Sequence, residues 1–328
     1  MKAIRLITAL FLVFSVTFTT FYGAKKINDE KISAESQSYK GIISMWQIDS
    51  FEGGIGSRKQ FLLKVARSFE KKHNGVLIMV TNLSKEGAEE NFKNGVFPDL
   101  ISYGNGVNVQ NVSEISVSNT VKGGQIGDKT YATAWCRGGY VLITNPNLSK
   151  GGDEKTLLVS KSDYTLPLMG LLENEVLGDT IEIMSPMDAY VKFVSGKVKR
   201  FLGTQRDINR LKTRGMEVEV TPLEKYNDLY QYVSITSSDQ LKRYYAEQFI
   251  NYLVSKEVQS QLCDIGMLSC FYSVEQQSEH LQAMQKISGF NTISAFTSAE
   301  IIEEIHRLSL SALEGNKDAR IKIENMLI

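Results

Sequence analysis

The sequence contains little of several residue types that would mark a specialised class of protein. Only 3 cysteines and 3 histidines occur among 328 residues, and the histidines stand far apart at His73, His280 and His306. So few cysteines exclude a disulfide scaffold, and the histidine spacing gives no zinc motif. The 37 basic residues are balanced by 37 acidic ones, so the chain lacks the net positive charge typical of nucleic-acid-binding proteins. We therefore expect no nucleic-acid partner.

Catalytic motifs are missing as well. There is no G-x-S-x-G nucleophile elbow, no H-E-x-x-H pair, no Walker loop and no calcium loop. Cys136 has no histidine close in sequence that would activate its thiol, so a packed cysteine is the favoured interpretation. Cys263 and Cys270 are seven residues apart, and the sequence leaves open whether they pair. We expect a protein that is not an enzyme and that carries neither metal nor cofactor.

The remaining composition is that of a large globular protein. Hydrophobic residues make up 42% and charged residues 23% of the chain. A chain of this length buries about three quarters of the surface that its unfolded form exposes, which predicts one large domain or two lobes.

The N-terminus predicts export. Lys2 and Arg5 precede an uncharged stretch over residues 6–24, and Lys25 and Lys26 follow it. A basic segment before an apolar one is the layout of a secretory signal, but this stretch is also just long enough to span a bilayer. Residues 1–24 are therefore a signal peptide or a retained membrane anchor, with the anchor slightly favoured. Residues 25–40 are polar and predict a flexible tether.

Strands and helices alternate after the tether, which predicts an α/β fold with parallel strands. Polar and glycine-rich segments follow the predicted strands at residues 49–58, 103–106, 185–186 and 203–206. The carboxyl ends of the strands form the edge at which open α/β sheets bind ligands. Three of the segments also lead into helix N-termini, whose free amides hold oxygen-rich groups. The sequence therefore predicts a binding cleft at this edge.

Five segments resemble extracellular solute-binding proteins of ATP-binding-cassette (ABC) importers, of the sugar-binding family 1 type. They are MWQIDSFEGGIGSRKQFLLKVARSFEKKHNGV, GVFPDLISYGNGV, GDKTYATAWCRGGYVLITN, AYVKFVSGKVKRFLGTQRDINRL and AEQFINYLVSKEVQSQLCDIGMLS, in that order. Together they cover most of residues 41–275. Two departures are that no cysteine near the leader offers a site for lipid attachment, and that only two tryptophans are present, fewer than is common in oligosaccharide binders.

The resemblance implies a two-lobed, periplasmic-binding-protein-like fold of type II with the ligand cleft between the lobes. We expect residues 41–138 plus 236–275 to form the first lobe and residues 139–235 plus 276–328 the second. The implied protein is a monomer on the extracellular face of the cell membrane. It would capture a small solute, which the family resemblance implies is a carbohydrate, and deliver it to ABC permease subunits.

Candidate ligand-binding residues are aromatic and polar side chains near the predicted cleft. We expect them to be Trp46, Asp49, Glu52, Ser57, Tyr103, Trp135, Tyr140, Thr204, Gln205, Arg206, Tyr230 and Gln231. For each aromatic residue the alternative is packing in the core. The alternative function is a membrane-tethered ligand sensor that partners a signalling receptor, which the retained-anchor interpretation of the leader favours.

Overall fold

The computed structural model describes residues 11–23, 25–26, 39–148, 151–162, 164–176 and 180–328. Helix α1 covers residues 11–23 and exposes its apolar side chains. Within the described ranges, no helix is both long enough and apolar enough to cross a membrane. Most of the predicted tether, and residues 1–10 and 24 of the predicted leader, lie outside the described residues.

The first sheet has five strands in the order β2-β1-β3-β12-β6. Strand β1 runs parallel to β2 and β3, whereas β12 is antiparallel to both β3 and β6. Apolar residues such as Ile43 and Met45 alternate along β1 and are fully buried, as expected for a strand covered by helices. The strands are β1 (Gly41–Ile48), β2 (Val76–Leu83), β3 (Leu100–Tyr103), β6 (Thr133–Arg137) and β12 (Tyr230–Ile235).

The second sheet also has five strands, in the order β11-β7-β10-β8-β9. Strands β8, β9 and β10 run in the same direction, and β7 is antiparallel to β10 and β11. The strands are β7 (Tyr140–Thr144), β8 (Asp153–Ser160), β9 (Thr180–Met184), β10 (Val198–Thr204) and β11 (Glu219–Pro222). A small hairpin of β4 (Gln125–Ile126) and β5 (Lys129–Thr130) turns at Gly127, where the sequence predicts a tight turn.

Helices connect and cover the strands. Ser57 and Ser185 accept hydrogen bonds from the first-turn amides of α2 and α5, and Pro186 occupies the first turn of α5. The helices are α2 (Arg58–Lys72), α3 (Lys85–Lys93), α4 (Pro167–Glu173), α5 (Pro186–Val194), α6 (Gln205–Thr213), α7 (Gln240–Leu253), α8 (Lys256–Gln259), α9 (Glu279–Lys286), α10 (Ala299–Leu313) and α11 (Lys317–Glu324).

Two neighbouring segments of the chain, called the crossing segments below, connect the first sheet to the second. Residues 137–140 lead from β6 into β7, and residues 223–230 lead from β11 back into β12. The N–H of Gly138 donates to the carbonyl of Leu229 at 2.7 Å, so the two crossing segments are bonded to each other. Their position brings the carboxyl-end edges of both sheets to the same region.

The return of the chain to the first sheet differs from the predicted boundary. Tyr230–Ile235 is strand β12 and lies between β3 and β6, so these residues belong to the first sheet and not to the second. The difference arises because strand pairing far along the chain leaves no local pattern.

Candidate functional site

Three of the predicted polar segments come together: Ser50 lies beside Gly104, and Glu52 pairs with Arg206. The loop after β1 and the loop after β3 belong to the first sheet, and the N-termini of α5 and α6 follow strands of the second. The two sheets are joined directly by an ion pair, in which Arg206 Nη1 lies 2.5 Å from Glu52 Oε1. Arg206 is in the first turn of α6, and Glu52 is in the loop after β1. The structure thus brings together two of the predicted ligand contacts.

Asp49 lies in the same loop and pairs with a residue that sequence reasoning missed. Its Oδ1 is 2.7 Å from Nε of Arg58, whose side chain is almost fully buried. Arg58 is the first residue of α2 and reaches back to lie over the ring of Phe51, with 4.4 Å from guanidinium carbon to ring centroid. Its Nη2 donates to the Phe51 carbonyl. The cation thereby fixes the loop that carries Asp49 and Glu52.

Several buried polar atoms at this edge have no hydrogen-bond partner among the described residues. Ser50 lies beside Gly104, and Asn105 donates through Nδ2 to the carbonyl of Asp228 at 2.8 Å. Gln231 donates through Nε2 to the carbonyl of Ile48 at 2.9 Å. The unpartnered atoms are Gln47 Oε1, Ser50 Oγ, Arg58 Nη1, Asn105 Oδ1 and Gln231 Oε1. Such atoms are costly to bury unless a ligand or water completes their bonds.

Gln205 does not point freely into a cleft, contrary to the expectation. It is fully buried, its Oε1 accepts from the N–H of Gly139 at 3.1 Å, and its Nε2 lies 3.7 Å from Met267 Sδ. The side chain therefore supports the first crossing segment. The physical reason is that Gly139 has an unpaired amide at the edge of β7, which the glutamine satisfies.

Thr204 and Asp207 define the start of α6. The N–H of Thr204 donates to Asp207 Oδ2 at 2.9 Å, which is the carboxylate half of a capping box. Burial raises the pKa of Asp207 to about 6, against the lowering effect of the bond from Thr204. Arg206 next to them remains about one third exposed, as expected for a residue that faces the space between the sheets.

Three predicted aromatic contacts are core residues, which corrects their expected role as stacking surfaces. Trp135, Tyr103 and Tyr140 are each no more than 2% exposed. Trp135 stacks on Phe61 with 5.7 Å between ring centroids, and its Nε1 donates to Ser102 Oγ at 2.9 Å. The Tyr103 hydroxyl lies 3.1 Å from Ser234 Oγ. These rings are thus packed inside the protein, and the polar atoms of Trp135 and Tyr103 contact serine hydroxyls.

Tyr140 forms a buried bond that links the crossing segments to the second sheet. Its hydroxyl donates to Asp228 Oδ1 at 2.7 Å, and Asp228 Oδ2 accepts from the N–H of Leu166 at 2.8 Å. Burial raises the pKa of Asp228 to about 6. Asp228 is a second residue that sequence reasoning missed, because a single aspartate in a loop carries no pattern.

The other predicted contacts occupy separate positions. Trp46 is half-buried and contacts Phe92 on the other face of β1, with 5.7 Å between ring centroids. Ser57 is the N-cap of α2, and its side chain accepts a hydrogen bond from the N–H of Gln60. The Tyr230 side chain lines a cavity together with Arg137.

Neither a disulfide nor a metal-ligand cluster occurs in the described ranges. Cys136, Cys263 and Cys270 are free thiols, so the possible pair of the last two is not formed. No group of three or more His, Cys, Asp or Glu side chains among the described residues is arranged to hold a metal ion.

No family model matches the sequence, and no curated protein matches it. Solved structures do match. The sugar-binding protein MalE from Xanthomonas citri has a TM-score of 0.61 at 12% identity, over 87% of this chain and 95% of that one. The GacH receptor of Streptomyces glaucescens has a TM-score of 0.57 at 15% identity, over 86% of this chain and 95% of that one. A two-component system protein that mediates signal transduction has a TM-score of 0.54 at 13% identity, over 81% and 100%. These similarities confirm that the chain has the two-lobed, periplasmic-binding-protein-like α/β fold of type II.

Proposed function

We propose that this protein is the extracellular solute-binding component of an ABC importer, which captures a small carbohydrate between its lobes and delivers it to permease subunits. The observation that carries the proposal is the group of five unpartnered polar atoms of Gln47, Ser50, Arg58, Asn105 and Gln231. Three are amide oxygens that need donors, one is a guanidinium nitrogen that needs an acceptor, and one is a hydroxyl. A sugar hydroxyl both donates and accepts, so a polyol satisfies this mixed set.

The position of the Glu52–Arg206 pair supports the same proposal. It joins the loop after β1 to the start of α6 and so closes the space between the sheets on the side of the unpartnered atoms. Opening by rotation about the crossing segments would admit a ligand, and hinge closure around ligands is an established form of domain motion. The folds of a sugar-binding protein and of the GacH receptor, whose complex with acarbose has been solved, are similar to this one.

The proposal also assigns the parts of the chain. The first lobe is residues 41–138 plus 236–275, extended by β12, and the second is the rest of 139–235 plus 276–328. The protein is exported and acts as a monomer, with residues 1–24 either cleaved or retained as an anchor. Fractionation that found the intact chain in the cytosol would contradict export.

A thermal-shift screen tests the ligand class. The purified chain is heated with mono- and disaccharides, and with amino acids, polyamines and oxyanions for comparison. A ligand that binds only the folded state raises the melting temperature. Among the sugars, amino acids and polyamines, we expect saturable increases with sugars alone, followed by calorimetry of the best compound with the wild type and with the Asn105→Asp variant. An increase with amino acids or polyamines instead would contradict the carbohydrate assignment, and no increase with any compound would contradict ligand capture.

A membrane-tethered sensor is the second candidate, and it is supported by the similarity to a two-component signalling protein. Deletion of the gene separates the two. Loss of uptake of the radiolabelled sugar indicates transport. Unchanged uptake with a lost transcriptional response to the sugar indicates sensing.

A further inference from the structure

The cavity lined by Tyr230 and Arg137 lies beside the crossing segments and does not include the unpartnered atoms described above. Its volume is about 210 Å³. Pockets for drug-sized ligands measure roughly 300–1,000 Å³, so this one suits a smaller molecule. It is lined by Val121, Lys122, Arg137, Tyr230, Cys270 and residues 287–292. The only two charged residues in this lining are cations, and it contains no aspartate or glutamate.

Arg137 is the buried cation in the lining of this cavity. Its side chain is 3% exposed, its hydrogen-bond partners are backbone carbonyls, and its guanidinium carbon lies 5.2 Å from the ring centroid of Phe290. Nε donates to Ser269, Nη1 to Gly138, and Nη2 to Met284 and Ile287, at distances of 3.3, 3.4, 2.9 and 3.0 Å. In the described part of the chain it forms no ion pair with a carboxylate. Nη1 carries two hydrogens and makes one long bond, so a donor is left over.

The charge on Arg137 is therefore buried without a counter-charge. Burial lowers the pKa of Arg137, but an arginine remains charged in proteins. An isolated buried charge is expensive unless it is paired. The carbonyls of Met284 and Ile287 at the end of α9 offer partial negative charge only.

No other group in the lining supplies a negative charge. Burial raises the pKa of Cys270 to about 12 and raises the pKa of Tyr230, so both are neutral at physiological pH. Outside the lining, Glu173 Oε2 accepts from Nδ2 of Asn291 at 2.9 Å, and Ile328 O accepts from the N–H of Thr292 at 3.3 Å. Lys122 is exposed at the rim and adds a second positive charge.

We propose that this cavity binds a small oxyanion, a phosphate or a short carboxylate, with Arg137 at its base and Lys122 at its rim. The guanidinium offers a fork of donors that fits planar and tetrahedral oxyanions. Asn291 and Thr292 in the lining supply further polar groups. The site is independent of the carbohydrate proposal, because apart from Tyr230 it shares none of the residues predicted for ligand binding.

The test is a titration of the purified full chain with phosphate, and separately with succinate, at ionic strength held constant with sodium chloride. Melting temperature and calorimetric heat are both recorded. Lys122→Gln is the informative variant, since replacement of Arg137 would also remove its four bonds to carbonyls and destabilise the fold. Lys256→Gln changes an exposed lysine on α8 in the same way and is the matched control.

We expect a saturable rise in melting temperature with one of the two anions. The affinity should fall about tenfold or more in Lys122→Gln, the effect of losing one charge-assisted bond. It should be unchanged in Lys256→Gln. A response to phosphate alone identifies a phosphate-type site, and a response to succinate alone a carboxylate-type site. The proposal is overturned by no saturable response to either anion, or by equal responses in all three proteins.

Discussion

Arg206 and Glu52 form a direct ion pair between the start of α6 and the loop after β1, with Nη1 2.5 Å from Oε1. Each was predicted from the sequence as a ligand contact, and the structure shows them in contact with each other. About one third of each side chain is exposed, so the pair is accessible to exchange with a polar ligand. Under the proposed function, the pair would link ligand binding to closure of the lobes.

Replacing Arg206 with alanine should affect binding far more than stability. We expect affinity for the sugar identified by the screen to fall by about 1.5–3 kcal/mol, the scale of a charged hydrogen bond. The free energy of unfolding should change by less than about 1 kcal/mol, since partly exposed ion pairs contribute little. Calorimetry and urea unfolding measure the two quantities. Arg214→Ala, at the exposed far end of α6, is the control. Unchanged affinity would remove Arg206 from the site.

Gly104→Ala should disturb the group of unpartnered atoms. A Cβ at this position would come within 1.6 Å of Ser50 Oγ and 3.2 Å of the Tyr230 carbonyl, so Ser50 must move. We expect weaker sugar binding and a lower melting temperature. In Gly87→Ala the nearest atom to the new Cβ is Ser84 Oγ at 3.4 Å. That helix substitution should leave binding intact and stabilise by at most about 1 kcal/mol. Equal binding by the two variants would argue against Ser50 as a contact.

Trp135→Ala should destabilise the protein by about 3–5 kcal/mol, the usual cost of truncating a large buried aromatic residue. Trp135→Phe should cost less, because it keeps the stacking on Phe61 and loses the bond to Ser102. Both are measured by denaturant unfolding. Sugar affinity of the folded Trp135→Phe protein should equal that of the wild type. A large loss of affinity at unchanged stability would restore Trp135 as a ligand contact.

Asp207 should make the protein less stable as the pH rises from about 4 to 6. Its pKa in the folded state is about 6, above the ordinary value of 3.8, so the folded state binds the proton more tightly than the unfolded state does. The protonated Asp207 stabilises the folded state fully below about pH 3.8. This stabilisation is lost as the pH rises to about 6, at up to about 1.4 kcal/mol per pH unit. Asp207→Asn should remove this fall. Unfolding curves from pH 4 to 8 measure it, and a profile identical to that of the wild type would contradict it.

His306 should make the protein less stable as the pH falls from about 6.5 to 4, which is opposite to the effect of Asp207. Burial lowers its pKa from 6.5 to about 4, and its Nδ1 is buried without a partner among the described residues. The unfolded state therefore takes up a proton first as the pH falls, and stability is lost from about pH 6.5 to 4. In His306→Gln the protein should lose less stability on acidification than the wild type. Greater sensitivity to acid in this variant would refute the assignment.

The sequence was informative where a local pattern decides the structure. Short apolar runs indicated β1 and β3, and Ser57 and Ser185 lie at two helix starts, because apolar runs and caps act over a few residues. Side-chain partners could not be predicted in the same way. Gln205 and Gln231 have the polar character of ligand contacts, yet both amides bond to the backbone of distant segments. Arg58 resembles an ordinary surface cation and is buried by the loop that precedes it.

The place of β12 also determines when the first sheet can be completed. It lies between β3 and β6, although at least 92 residues separate its start from the end of β6. A growing chain that stops before Tyr230 leaves the edges of β3 and β6 unpaired, and such edges template aggregation. Loop closure over this distance also slows folding. The first lobe therefore cannot fold as an autonomous N-terminal unit, and a fragment that ends within the second sheet should be insoluble.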